Sequence, residues 1–183
     1  MEPFITAVNP EAIGVFGLFA TVICFGLEQI GVGVTKDTDP VKMQRTLGHI
    51  AIVFGSVCQL FTSVWCFAFN VLGDHSKFLG TVFGFFGLFW LLVGIFFVKG
   101  GDKKMLANFF IPCLILNTLF LVRCIQDGLI WPLGMAVVVI EFLLLTLIPA
   151  WYTGNPKLGK LAGVWNLVIA GIAFFLLYPH VLG

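Results

Sequence analysis

Charge is what this chain has least of. Only 10% of its 183 residues are Asp, Glu, Lys or Arg, against about 25% in an average soluble domain. A net charge of +1 supplies none of the basic surface that a nucleic-acid partner needs. Histidine is scarce: His49, His75 and His180 are the three present, and none falls in an HExxH pattern or at a spacing that suggests a Ser/His/Asp or Cys/His arrangement. No Gly-rich phosphate loop and no metal-ligand cluster is visible, so the expectation is that the chain is not an enzyme and needs no cofactor or metal. The five cysteines, Cys24, Cys58, Cys66, Cys113 and Cys124, sit in or at the ends of apolar runs, with no CxxC pair. They read as small packing residues. The start, MEPFITAVNPEAIG, lacks a basic stretch before its first apolar run, so no cleavable signal is expected. Long polar segments are also missing, which leaves no soluble domain to hydrolyse ATP or bind a signalling ligand.

What the chain has is oil. Hydrophobic residues make up 60% and the mean hydropathy is +1.07. A water-soluble fold of this size cannot hide that much apolar surface, so the chain reads as an all-α integral membrane protein. A bilayer core of about 30 Å takes about 20 apolar residues per helix. Six runs qualify, at roughly 12–32, 46–70, 78–98, 105–125, 129–151 and 159–179, within one transmembrane domain over 1–183. The breaks between them carry turn chemistry: TKDTDPVK, GDHSK, KGGDKK, QDG and TGNPK. Such short connections predict antiparallel neighbours. Loops 1–2, 3–4 and 5–6 hold eight Lys and Arg residues against two on the other side, which places both termini outside the cytoplasm.

Glycine is abundant, at 21 residues, and patterned. Gly14 and Gly17 share the first helix; Gly80, Gly84 and Gly87 share a face of the third. Small residues at that spacing predict close helix–helix contact, and they also leave room for a solute path. Phenylalanine is extreme, also at 21, and the third helix reads FLGTVFGFFGLFWLLVGIFF. Most of these rings are expected to face lipid or neighbouring subunits, with a few forming an apolar constriction that slows hydrated ions.

Polar residues inside the spans cost free energy in hydrocarbon, so each needs a reason. Gln59, Asn117 and Asn166 lie mid-helix; interhelical hydrogen bonding and a place on a solute path are both open to them. Glu141 lies in VVIEFLL. An ionised carboxylate at that depth costs roughly 2.5–3.5 kcal/mol, so it is protonated, paired or facing water, as a proton site or a tuner of the pathway. Glu28 is nearer an interface.

At this point the residues resemble a known family. NPEAIGVFG is similar to the N-terminal signature of the acetate uptake transporter family, the YaaH/SatP group, which reads NPxPLGLxGFG. Asn9, Pro10, Gly14 and Gly17 fit, while Glu11 and Ala12 replace the usual small residue and second proline. FGSVCQ resembles a second-helix Y/F-G-G-x-x-Q pattern at Gly55 and Gln59. FFGLFWL resembles YGxFWL, with Phe86 where a tyrosine is frequent. LAGVWNLVIAGIAFF resembles the sixth-helix AGxxGLxxGxxAxY. The resemblance implies a six-helix protomer with its own pore, set in the plasma or inner membrane and assembled as a hexameric ring. It implies that the chain carries acetate and related small carboxylates, with protons or down a gradient. It puts the apolar constriction on the first, third and fifth helices, at Leu18, Phe86 and Ile140. The alternative is a urea or short-chain amide channel of the UreI/AmiS group, which shares the plan; GVTKDTDPVK and FGFFGLFWLLVGI look like its first connection and its FGxTYLxxGI run, but its Trp-rich segment is missing.

The Asn-Pro turn then acquires a role. Proline is well placed at a helix start, Asn9 can cap the exposed amides, and the positive end of the helix favours an anion at one mouth of the pore. Asn155 and Pro156 repeat the arrangement before the sixth helix, beside Lys157 and Lys160; there, simple capping is the expected role. Glu28 would repel a second negative charge and so favour monocarboxylates over dicarboxylates.

Overall fold

The structure, a computed structural model, describes residues 10–182, with side chains over 11–178. Asn9 lies outside the described residues. Six helices are long and apolar enough to cross a membrane, and no strand is present among the described residues. They are α1 (Pro10–Ile30), α2 (Pro40–Phe69), α3 (Ser76–Lys99), α4 (Lys103–Gln126), α5 (Met135–Thr153) and α6 (Pro156–Leu182).

Three of the six begin on proline, whose missing N–H is no loss in a first turn. The carboxylate of Asp39 accepts from the amides of Val41 (2.9 Å) and Lys42 (3.2 Å), and that of Asp102 from Lys104 (2.8 Å) and Met105 (3.0 Å). The Asn155 side chain accepts from Lys157 N at 3.0 Å. The capping role read for Asn155 is therefore the one it plays. Because Asp39 and Pro40 start α2, that helix begins six residues ahead of the span predicted at 46, carrying Lys42, Arg45 and His49 on its first turns. The fifth span was placed from 129. Regular helix begins only at Met135, because Trp131, before Pro132, is extended (φ −117°, ψ 134°).

α2 is not uniform. Between Pro40–Ile50 and Gln59–Phe69 it widens into a π-helical stretch, Ala51–Cys58. This stretch lies where α1 and α3 press closest: a Cβ on Gly17 would stand 2.2 Å from the Phe54 carbonyl oxygen, and one on Gly55 2.8 Å from the Trp90 ring. α1 and α6 meet with equal economy, since a Cβ on Gly26 or on Gly163 would come to 3.0 Å of the other's carbonyl oxygen. Gly80, Gly84 and Gly87 all face α2. Small residues let backbones approach, and in a bilayer that approach is a main source of helix association.

The third helix departs from expectation. Of its seven phenylalanines, Phe86 and Phe89 are buried and the other five are half-buried; none is exposed. The side chains that point outward are Leu88, Leu92 and Ile95. Rings pair with rings across the interior instead: Phe86 with Phe120 at 6.3 Å, Phe89 with Phe110 at 5.6 Å, and Phe97 with Trp151 at 6.1 Å. Edge-to-face and tilted pairs add to the packing gain, so the aromatic side of α3 turns inward and its aliphatic side outward.

Candidate solute pathway

Three cavities follow one another between α1, α3, α5 and α6. The first is a vestibule of about 350 Å³, walled by the end of α1 (Glu28, Gln29), by Phe96, Phe97 and Trp151, and by residues at helix ends and in loops, among them Lys103 and Asn155. It opens on the face that carries loops 1–2, 3–4 and 5–6. Gly154 closes the α5 terminus there in a left-handed turn (φ 67°), which suits glycine.

The second cavity, about 30 Å³, shares Gln29, Phe97 and Trp151 with the vestibule. Asn166 lines it. The third, about 20 Å³, shares Phe89, Trp90 and Leu143 with the second. Its walls are aliphatic or aromatic throughout, and Leu18, Phe86 and Ile140 all belong to them, with Val22, Leu144 and Ile169. No charged side chain lines either inner cavity among the described residues. A space of this size holds about one water molecule, and with no polar partner water has little reason to stay.

The geometry follows from register. On α5 the residues 140, 143, 144 and 147 recur at helical spacing, so all four face the interior. On α1 the same holds for Leu18, Val22 and Phe25, which line the inner cavities in turn. Leu18, Phe86 and Ile140 are thus brought to one cavity from helices distant in sequence. Glu28 is brought to the vestibule and Asn166 to the cavity beneath it. Asn166 is 2% exposed; its Nδ2 donates to Gln29 Oε1 at 2.9 Å, while its Oδ1 has no partner among the described residues.

Glu141 stands elsewhere. It is one residue from Ile140, about 100° around the helix, and it faces α4. Asn117 Nδ2 donates to its Oε2 at 2.5 Å and to the Val137 carbonyl at 3.0 Å; Thr118 Oγ1 lies 2.5 Å from its Oε1. Of the three states open to a carboxyl at this depth, it is hydrogen-bonded, on the α4–α5 seam and not among the residues that line the cavities. Gln59 is 1% exposed on α2 and likewise lines none of the three; its Nε2 finds no partner among the described residues.

Sequence reasoning passed over Gln29, Phe97 and Trp151. Gln29 carried a signal, being a polar residue on the last turn of an apolar span, but its neighbour Glu28 drew the attention. Its partner is 137 residues away, which no local pattern can reveal.

The described residues thus form a six-helix bundle with an open outer cavity of mixed lining and two small, mostly apolar cavities beneath it. No protein-family model matches the chain, and no curated protein does. Among solved structures, the one described as "Structure of the bacterial acetate channel SatP" superposes with a TM-score of 0.76 at 17% identity, covering 97% of this chain and 93% of that one. The chain is a multi-pass membrane protein with the fold of that channel.

Proposed function

We propose that the chain is a channel for small monocarboxylates such as acetate, each protomer conducting through its own centre. The observation that carries this reading is the series of cavities running from a polar vestibule to a throat walled by Leu18, Phe86 and Ile140, set in a fold whose solved example is described as an acetate channel. The protein is taken to sit in the cell membrane, as a hexamer, and to move its solute with protons or down a gradient. The lysine-rich face then lies in the cytoplasm, so the vestibule is the cytoplasmic mouth and the start of α1, at Pro10, the outer one. Lys103 and the positive end of the α6 dipole draw an anion into the vestibule, and the throat rejects hydrated ions, which cannot shed their water there. Glu141 acts on the pathway from behind, by tying to α4 the helix α5 that carries part of its wall.

Uptake of labelled acetate and labelled urea into proteoliposomes, side by side with empty liposomes, tests the reading. Protonated acetic acid crosses bilayers unaided, so the assay runs at about pH 7.5 or above, where the anion dominates. Saturable acetate uptake without urea flux is the expected result; urea flux without acetate flux overturns the reading and points to an amide channel.

Glu28 gives a sharper expectation. In the vestibule its carboxylate repels the second charge of a dicarboxylate. Glu28→Gln raises succinate flux relative to acetate by roughly twofold to fivefold, the weight of a ~0.5–1 kcal/mol repulsion in a water-filled space. An unchanged ratio in the same proteoliposomes removes Glu28 from solute selection.

A further inference from the structure

We propose that the Gln29–Asn166 amide pair is a solute-binding site, and that it takes a carboxyl group in its uncharged form, or the primary amide of the same shape. The inference rests on the channel reading above. It starts from an orphan: Asn166 Oδ1 is buried without a hydrogen-bond partner, on a residue only 2% exposed that lines the cavity between vestibule and throat. A buried acceptor left unmade is expensive, and such groups in native proteins mark a missing partner. The other half of the Asn166 amide is occupied, since Nδ2 donates to Gln29 Oε1 at 2.9 Å. That bond leaves one acceptor, Asn166 Oδ1, and one donor, Gln29 Nε2, and turning both amides over also leaves one of each. Gln29 Nε2 donates to no protein atom among the described residues, and Gln29 borders both the vestibule and the second cavity.

At one level of the pathway the chain therefore presents an acceptor from α6 beside a donor from α1. A carboxylate offers acceptors only and cannot satisfy Asn166 Oδ1. A carboxylic acid offers both a carbonyl oxygen, for Gln29 Nε2, and a hydroxyl, for Asn166 Oδ1. A primary amide offers the same pair. No cation lines this cavity or the next among the described residues, so nothing on the path stabilises an anion that has left the vestibule. The amide pair is thus where a small acid, arriving in its uncharged form, exchanges its last water hydrogen bonds before an apolar throat that offers none.

The experiment uses the intact protein in proteoliposomes with the membrane potential clamped by potassium and an ionophore. Protein-dependent acetate flux is expected to be insensitive to the potential, to follow the concentration of the uncharged acid as pH is varied, and to be inhibited by acetamide in the wild-type protein. Asn166→Leu, which keeps the γ-branched shape and heavy-atom count and removes the acceptor, lowers that flux by about tenfold, the equivalent of ~1.4 kcal/mol for a lost hydrogen bond. Gln29→Leu acts in the same direction. Saturable acetate flux that follows the potential, or that acetamide does not touch, overturns the proposal and leaves the channel reading standing. An Asn166→Leu protein that conducts like the wild type overturns it as well, and should the variant not fold, the acetamide and potential measurements on the wild type decide alone. Absence of any protein-dependent acetate flux in the wild type is the separate failure, that of the channel reading itself.

Discussion

Phe86→Ala passes butyrate faster, relative to acetate, than the unchanged protein does. The ring is 7% exposed and stands in the wall of the smallest of the three cavities, with Leu18 and Ile140. It is held from three sides, by Phe85 at 5.0 Å, Phe89 at 6.4 Å and Phe120 at 6.3 Å. None of these can slide into the gap without losing its own pairing, so truncation widens the throat instead of collapsing it. In a water-soluble core the same truncation costs about 3–5 kcal/mol. Much of that is the return of the ring to water, a penalty absent when the alternative to the core is lipid, so the bundle survives. The barrier to a longer acyl chain is steric and falls with the ring. A lowering of ~1.4 kcal/mol is a tenfold gain, and a butyrate-to-acetate ratio up on the order of tenfold is the expected outcome in a proteoliposome uptake assay. Leu88→Ala is the control: two residues along on the same helix, but 59% exposed and pointing away, it leaves the ratio alone. Equal ratios in Phe86→Ala and the unchanged protein would move the throat to another level of the bundle.

How much of this was readable beforehand depends on the kind of signal. The six helices were plain, because length and hydropathy answer to bilayer thickness and little else. Their starts were nearly as plain, since Asp39 before Pro40 and Asn155 before Pro156 are local chemistry. Leu18, Phe86 and Ile140 could be carried over by resemblance, and they line one cavity. What could not be read is which way an oily helix faces. On α3 almost every position is apolar, so periodicity carries no contrast; the inward turn of Phe86, Phe89 and Phe97 depends on where Phe110, Phe120 and Trp151 of other helices lie. The same blindness covers Glu141. Its depth was evident, but one step of helical rotation separates Ile140, in the throat, from Glu141, on the seam with Asn117. The Gln29–Asn166 bond joins the first helix to the last, and the π-helical stretch of α2 lies where Gly17 and Gly55 make their close contacts. Both are tertiary facts with no local trace.

Gly17→Ala is expected to damage the fold more than any other change of one methyl group along α1. The added carbon would stand 2.2 Å from the Phe54 carbonyl oxygen and 2.6 Å from the Cys58 Cβ. The first of these is backbone, which no rotamer change can move aside. Relief therefore requires α1 to back away from α2, and α1 is already pinned on its other side, where Gly26 and Gly163 touch α6. Helix propensity pulls the other way, favouring alanine by about 1 kcal/mol, but overpacking a tight crossing costs about 1–3 kcal/mol and occasionally more, and here the obstacle is rigid. The net effect is a lower melting temperature in detergent and less monodisperse protein. Gly171→Ala on α6 separates the two contributions. It has no heavy atom within 4 Å of the added carbon and it too is helical, so propensity acts alone and the melting temperature holds or rises. Opposite signs at these two glycines would show that contact, not backbone freedom, is what glycine supplies at the α1–α2 crossing; a loss at both would mean that the helices are limited by something other than that contact. Because Gly17 is one residue before Leu18, any retreat of α1 also opens the throat, so the Gly17→Ala protein that remains folded admits butyrate as Phe86→Ala does, by moving the wall instead of removing a piece of it.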